Sequence, residues 1–283
     1  MLQLYHHGSS VCAAKVRLAL FEKGVPWDGH YIDILAGEQF QPDFLSLSPN
    51  GLVPVLVHDG HVIRESTVIN EYVDEAFAGP ALRPADPAGR ARMRIWTKLV
   101  DEVLHPAVGP ITFAVSHRYT VLDLPPDRRE AYIESTPDPV QRQRKRLWIE
   151  KGFEAPDFRD AMRNYLRAIQ LMEQALENQA WLAGTGYSLA DIALTPYVTR
   201  LDMLGIWAMC RGDLPHTAAW FDRIRARASF EDALHRYLPE SLRQSMLANG
   251  TRAAPELEAF LASADRTSSQ PAGGSCEIAL REP

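Results

Sequence analysis

Residues 2–5, LQLY, alternate apolar and polar positions in the manner of a half-buried strand, and Ala13, Val16, Ala19 and Leu20 then recur at helical spacing until Gly24. HYIDI at 30–34 reads as a second strand, which completes a βαβ unit. GEQFQPDFLSLSPNG reads as a loop with one helical turn. VPVLV at 53–57 and HVI at 61–63 then flank Asp59 and Gly60, a dipeptide that favours a two-residue hairpin. Glu65 and Ser66 open a helix that carries Val68, Ile69, Tyr72 and Val73 and ends near Phe77. The order within residues 1–77 is therefore βαβ followed by ββα.

Residues 78–88, AGPALRPADPA, have the composition of a linker, with three prolines and a glycine among small residues. Beyond it helical periods take over: Met93, Trp96, Leu99, Val100 and Val103 lie on one stripe, and Leu166, Ile169, Met172 and Leu176 on another. Residues 89–249 are predicted to form an all-helical domain. Within it, 123–158 is rich in proline and charge and reads as a poorly packed excursion with a helix near 139–150. GYSLADIAL at 186–194 contains a capping-box pattern, Ser188 three residues before Asp191, that runs into an apolar helix. Residues 250–283 are predicted to be a mostly disordered tail, with a short helix near 255–263.

Composition narrows the classes. With 283 residues, 46% of them apolar and 23% charged, the chain has the length and balance of two modest folded domains. No apolar run approaches the ~18 residues of a membrane helix, and MLQLYHHG lacks the layout of a signal peptide, so a cytoplasmic location is expected. A net charge of −6 argues against nucleic acid as the main partner, and the basic run RQRKR at 142–146 reads as a solvated helix face. Cys12, Cys210 and Cys276 are widely spaced without a CxxC pair, so neither a disulfide framework nor a metal site is expected.

The stretch with the most chemical content is YHHGSSVCAAKVRLAL at 5–20, where a strand ends in Gly8, Ser9 and Ser10 at the mouth of a helix. Free N–H groups and the positive dipole end make a helix N-terminus hospitable to an anion, and a serine there is both a cap and a hydrogen-bond donor. The anion in question is compatible with a thiolate. A thiol of pKa about 8.5 needs roughly 2.7 kcal/mol to ionise two pH units lower, and one hydrogen bond to a charged group supplies ~1.5–3 kcal/mol.

The serine stretch, the Val-Pro at 53 and 54, the Glu-Ser at 65 and 66 and the YSLADIAL box occur in an order and spacing that together resemble the cytosolic glutathione S-transferase superfamily, over residues 2–235. LRPADPAGRARMRIWTKLVDE at 82–102, with the 123–158 segment and the long tail, is most similar to the bacterial branch of glutathione-dependent β-aryl etherases. The resemblance implies an N-terminal thioredoxin-like βαβββα domain and an all-helical C-terminal domain. It further implies glutathione as co-substrate, an apolar electrophile or aryl ether as second substrate, and a homodimer.

By the same resemblance Ser10 is the thiolate donor, with Ser9 the choice if the Gly-Ser-Ser form of the motif applies. Cys12, on the first turn, is either a low-pKa thiol or a small packing residue. Val53, ahead of a cis Pro54, presents its backbone to the peptide ligand; Glu65 and Ser66 clamp the γ-glutamyl group; Gln39 reaches the glycyl carboxylate. Trp27 and Tyr31 are assigned to the core. Trp96, Val100, Phe113 and Tyr119 are candidate walls for the second substrate, and His6, His7 and His105 candidate proton donors. Two other functions fit the same fold, a thiol reductase acting through Cys12 and a non-catalytic ligand- or protein-binding module.

Overall fold

The computed structural model describes residues 1–34 and 36–267, of which 262–267 are placed as backbone only. Chain order begins β1 (Leu2–His6), α1 (Val11–Lys23), β2 (Asp28–Tyr31), α2 (Pro42–Leu47), β3 (Val55–His58), β4 (His61–Ile63) and α3 (Ser66–Ala76). The strands form one sheet in the order β2-β1-β3-β4. β1 runs parallel to β2, with Gln3 opposite Asp28, and antiparallel to β3, with Tyr5 opposite Val55. The second strand thus occupies Asp28–Tyr31 instead of 30–34. Its ladder ends with β1, at the His6–Tyr31 pair, just beyond which Ile32 N–H still donates to the His6 carbonyl at 2.9 Å.

Local chemistry explains the boundaries. Asp59 and Gly60 both adopt left-handed backbone, φ 48° and 84°, which joins β3 and β4 by a mirror-image turn matched to strand twist. Gly24, at φ 65°, closes α1 by donating to the carbonyls of Leu20 and Phe21. The segment between β2 and β3 is more ordered than a loop with a single turn, because Pro42 starts a helix and Phe44 is buried beneath it.

The helical region comprises α4 (Pro87–Leu99), α5 (His105–Thr112), α6 (Arg118–Leu122), α7 (Pro126–Glu134), α8 (Pro139–Lys151), α9 (Phe158–Ala175), α10 (Leu189–Met203), α11 (Ile206–Cys210), α12 (Pro215–Arg225), α13 (Ala228–Phe230) and α14 (Glu240–Thr267). π-helical turns at Val100–Leu104 and Phe113–His117 join α4, α5 and α6. Pro106 has no N–H to give the Glu102 carbonyl, so the helix widens there, and His105 N–H bonds to Val100.

α10 is the axis of the molecule. Every residue from Leu189 to Leu201 is buried, and the helix packs against α1 and α4. Its start is fixed by Ser188 and Asp191: the carboxylate accepts from Ser188 N at 2.9 Å, Leu182 N at 3.0 Å and Trp220 Nε1 at 2.9 Å. Leu189 N–H donates to the Leu82 carbonyl, and Leu82 N–H donates to Asp74 on α3, so the segment between α3 and α4 ties both halves together.

Two expectations are corrected. Residues 123–158 are a packed helical pair: α7 and α8 bury Ile133 and Ile149 against Val121, and Trp148 Nε1 donates to Asp157 at 2.7 Å. The basic run is likewise paired, Arg146 with Glu130, Glu134 and Glu150 and Arg144 with Asp157. At the C-terminal end, residues 250–267 belong to α14, in which Met246, Ala253 and Leu257 are fully buried, so this half of the expected tail is helix. Residues 268–283, with Cys276, lie outside the described residues.

Candidate active site

β1 ends at His6, and the chain turns through His7, Gly8 and Ser9 before α1 begins. Ser10 is the N-cap of α1, its Oγ accepting from Ala13 N–H at 3.2 Å. Among the described residues no acceptor takes the Ser10 hydroxyl proton, so it remains available to an anion at the helix mouth. Ser9 differs. Its backbone N–H donates to His7 Nδ1 at 3.2 Å, which makes that nitrogen an acceptor, and Ser9 Oγ lies 2.9 Å from the same atom. The Ser9 proton is therefore held within the loop.

The loop is supported from behind by buried groups. Arg17, on α1, donates to the carbonyls of His7 at 3.1 Å and Gly8 at 3.2 Å. Arg200, on α10, donates to the Ser9 carbonyl at 2.5 Å and to Thr112 Oγ1 at 3.2 Å. Ser9, Ser10, Thr199, Arg200, Met203 and Leu238 line a small cavity at this point.

Cys12, on the first turn of α1, is half-buried and faces the other side of the helix mouth. Its Sγ lies 3.4 Å from His105 Nδ1 and 3.9 Å from Tyr197 Oη, and the last two atoms are 3.3 Å apart. Burial pushes the Cys12 thiol up, but the His105 hydrogen bond and the charge of Lys15, with a hydrogen bond from Ser66, more than offset it and hold the thiol below its ordinary value. The Cys12 contact correspondingly raises His105 against the effect of its burial. Lys15, fully buried, is held by Thr67 Oγ1 and Asp101 Oδ1, both at 3.1 Å.

Of the three candidate histidines, only His105 is poised to carry a proton. Burial and then the Arg17 charge hold His6 neutral, down to about 3, and burial lowers His7 as well. Of the four candidate walls, Trp96, Val100 and Tyr119 are core: Val100 is fully buried, and Trp96 Nε1 is used by the Leu182 carbonyl at 2.9 Å. Phe113 is half-buried against Trp148 and His117. Tyr31, assigned to the core, is 45% exposed, its ring 5.1 Å from that of His7. Trp27 is half-buried against His6 and Tyr237.

The remaining candidates sit on the chain segments around β3 and α3. The Val53–Pro54 bond is cis, and β3 starts only at Val55, so the backbone of Val53 is outside the sheet ladder. Glu65, the exposed residue before α3, is held at φ 66°, a left-handed conformation that costs a non-glycine residue about 1 kcal/mol or more. Ser66 is buried and reaches Cys12. Gln39 donates through Nε2 to the Ile34 carbonyl at 3.3 Å, and its buried Oε1 has no partner among the described residues. An acceptor is thus what Gln39 offers, which suits an N–H of a peptide ligand better than a carboxylate.

Sequence reasoning did not single out Arg17, Arg200 or Tyr197. The signal was a charged residue inside an otherwise apolar helix: VRLAL around Arg17 and YVTRL around Arg200.

Comparison with known proteins gives this geometry its context. Residues 9–76 match the glutathione S-transferase N-terminal domain and residues 135–228 the glutathione S-transferase C-terminal domain. Protein LigF of Sphingobium sp. is 33% identical over 246 residues, which cover 85% of this chain and 96% of LigF. The crystal structure of beta-etherase LigF superposes with a TM-score of 0.72 at 34% identity, over 83% of this chain and 99% of that one. The tetrachloro-p-hydroquinone reductive dehalogenase of Sphingobium chlorophenolicum is 29% identical over 82% of this chain and 95% of its own. A maleylacetoacetate isomerase of Methylobacterium extorquens, solved with bound malonate and glutathione, covers 84% of this chain and 98% of its own, with a TM-score of 0.61 and 26% identity. A thioredoxin-like sheet domain, an all-helical domain and a serine-capped helix mouth between them therefore make this chain a member of the glutathione S-transferase family, an enzyme with glutathione as its co-substrate.

Proposed function

We propose that this chain is a glutathione-dependent β-aryl etherase that activates the glutathione thiol with Ser10. The observation that carries the reading is the Ser10 hydroxyl, capped onto α1 through its oxygen and with its proton uncommitted, whereas Ser9 is engaged by His7. Val53, Glu65, Ser66 and Gln39 would bind the tripeptide: the Val53 backbone as an added strand, Glu65 and Ser66 at the γ-glutamyl end, and Gln39 at an amide of the glycyl end.

In the reaction, the thiolate attacks the carbon that bears the aryloxy group and lies next to a ketone. A C–S bond forms as the C–O bond breaks, and the aryloxide leaves with the electron pair and takes its proton from water. The likeness to LigF, named a beta-etherase, supports this substrate class over generic conjugation. The test is a β-aryloxy ketone with a fluorescent phenol leaving group. Phenol release that requires both enzyme and glutathione supports the reading; release at the no-enzyme rate beside ready conjugation of a chloronitrobenzene contradicts it.

A second reading rests on one observation, the 3.4 Å contact of Cys12 with His105, and is favoured by the reductive dehalogenase among the relatives. Here Cys12 is the nucleophile of a glutathione-dependent thiol reductase. Loss of disulfide reduction in Cys12→Ser, with ether cleavage retained, would assign it that separate activity.

We further place the enzyme in the cytoplasm as a homodimer. Val68 on α3 and Ile95 on α4 are exposed, and Glu71 and Arg94 bridge the two helices at 2.8 Å beside them, a face suited to a second copy. A monomeric mass in solution would remove that assignment.

A further inference from the structure

Arg17 is fully buried and Arg200 is 8% exposed, and among the described residues neither makes an ion pair. Burying a guanidinium without a carboxylate is costly, and protein interiors rarely do so without return. Their donors converge on one feature: Arg17 on the carbonyls of His7 and Gly8, and Arg200 on that of Ser9. Three consecutive carbonyls of the loop that delivers Ser10 are thus held by two charges whose own compensation is absent. Arg17 also donates to the Ala233 carbonyl at 2.6 Å and lies over the Tyr237 ring. The Nε of Arg200 is buried with no partner among the described residues, and the side chain forms part of the cavity beside Ser9 and Ser10.

Among the described residues no carboxylate is paired with either cation. Tyr31, Tyr237 and His6 face Arg17; Tyr165, Tyr197, His117 and His7 face Arg200. Asp33 acts on His7 and, with Glu38, on Tyr31 from the β2–α2 connection, and Lys15 with Asp101 lies on the Cys12 side of α1. What remains behind the mouth of α1 is a fixed positive potential in a low-dielectric setting, added to the helix dipole.

We propose that Arg17 and Arg200 are positioning residues that serve the reaction electrostatically, stabilising the glutathione thiolate at the mouth of α1 by their uncompensated charge as well as by holding the loop. The proposal rests on the reading of that mouth as the thiolate site. A unit charge at about 10 Å and an effective dielectric near 20 moves such an equilibrium by about one pH unit.

The measurement is a pH titration of the ultraviolet thiolate absorbance of enzyme-bound glutathione. Arg200→Met is expected to raise the midpoint by about one pH unit, while Arg200→Lys, which keeps the charge, stays near the parent. Thr112→Asp places a carboxylate against an intact Arg200 and is expected to raise the midpoint in the same direction. This second variant keeps the proposal falsifiable even if Arg200→Met fails to fold. A parent-like midpoint in Thr112→Asp overturns the proposal, as does a rise in Arg200→Lys equal to that in Arg200→Met, since loop geometry would then be the cause. The same substitutions in a Ser10→Ala protein separate the two ideas: a shift that persists there supports the charges whatever donor holds the sulfur, and its absence counts against them.

Discussion

Cys12 Sγ lies 3.4 Å from His105 Nδ1, across 93 residues of sequence, where the first residue of α5, just after the π-helical turn at Val100–Leu104, meets the first turn of α1. A thiol and an imidazole in this relation share a proton, and each favours the charged form of the other. Cys210 instead donates to the Ile206 and Trp207 carbonyls and is pushed up to about 11 by burial.

Selective alkylation follows from that difference. In a Cys210→Ser, Cys276→Ser background, iodoacetamide should modify Cys12 readily at pH 7. His105→Ala should slow the reaction about tenfold, the lower end of what a charge-assisted hydrogen bond contributes. An unchanged rate would show that His105 does not act on the thiol.

His117 gives a pH dependence of stability. Burial, and then the charge of Arg200, hold it down to about 4. Its unfolded value is about 6.5, so between those limits the unfolded chain binds a proton that the folded one does not, and stability is lost as pH falls. His117→Phe, which keeps the ring contact with Phe113, should remove about 2–3 kcal/mol of the fall in stability between pH 8 and pH 4. Urea unfolding of both proteins at the two pH values checks it; parallel losses would mean that His117 is charged in the fold.

Gly8 is required by close approach. A Cβ added there would lie 1.9 Å from the Tyr237 carbonyl oxygen, in the segment that also carries the ring over Arg17. Gly8→Ala should therefore displace the serine loop, cost roughly 1–3 kcal/mol of stability and lower kcat/KM at least tenfold. Denaturant midpoints and steady-state rates measure the two effects, and a variant with parent values in both would show that the loop is free to move.

What the sequence revealed follows a physical division. Ser10 as a cap, the Asp59-Gly60 turn, Gly24 as a helix stop and the Ser188/Asp191 box depend on neighbours within a few residues, and all were legible. The Cys12–His105 contact, the arginine supports at the serine loop and the packing of Ile133 against Ile149 depend on distant segments meeting, which periodicity does not encode. The 123–158 segment misled for a related reason. Arg146 is paired with Glu130 and Glu134 across the two helices, so a polar composition conceals a small core. α14 outran its expected length because its buried positions, Met246, Ala253 and Leu257, are sparse and set among polar residues.

The claim on which the rest depends is that Ser10 holds the glutathione thiolate. Its most direct test is the pH titration of thiolate absorbance in Ser10→Ala saturated with glutathione, beside Ser9→Ala and the parent. The expected result is retained glutathione binding with the midpoint displaced upward by about one to two pH units in Ser10→Ala, the worth of one hydrogen bond to a charged group, and a smaller change in Ser9→Ala. A Ser10→Ala titration that overlays the parent would contradict the account.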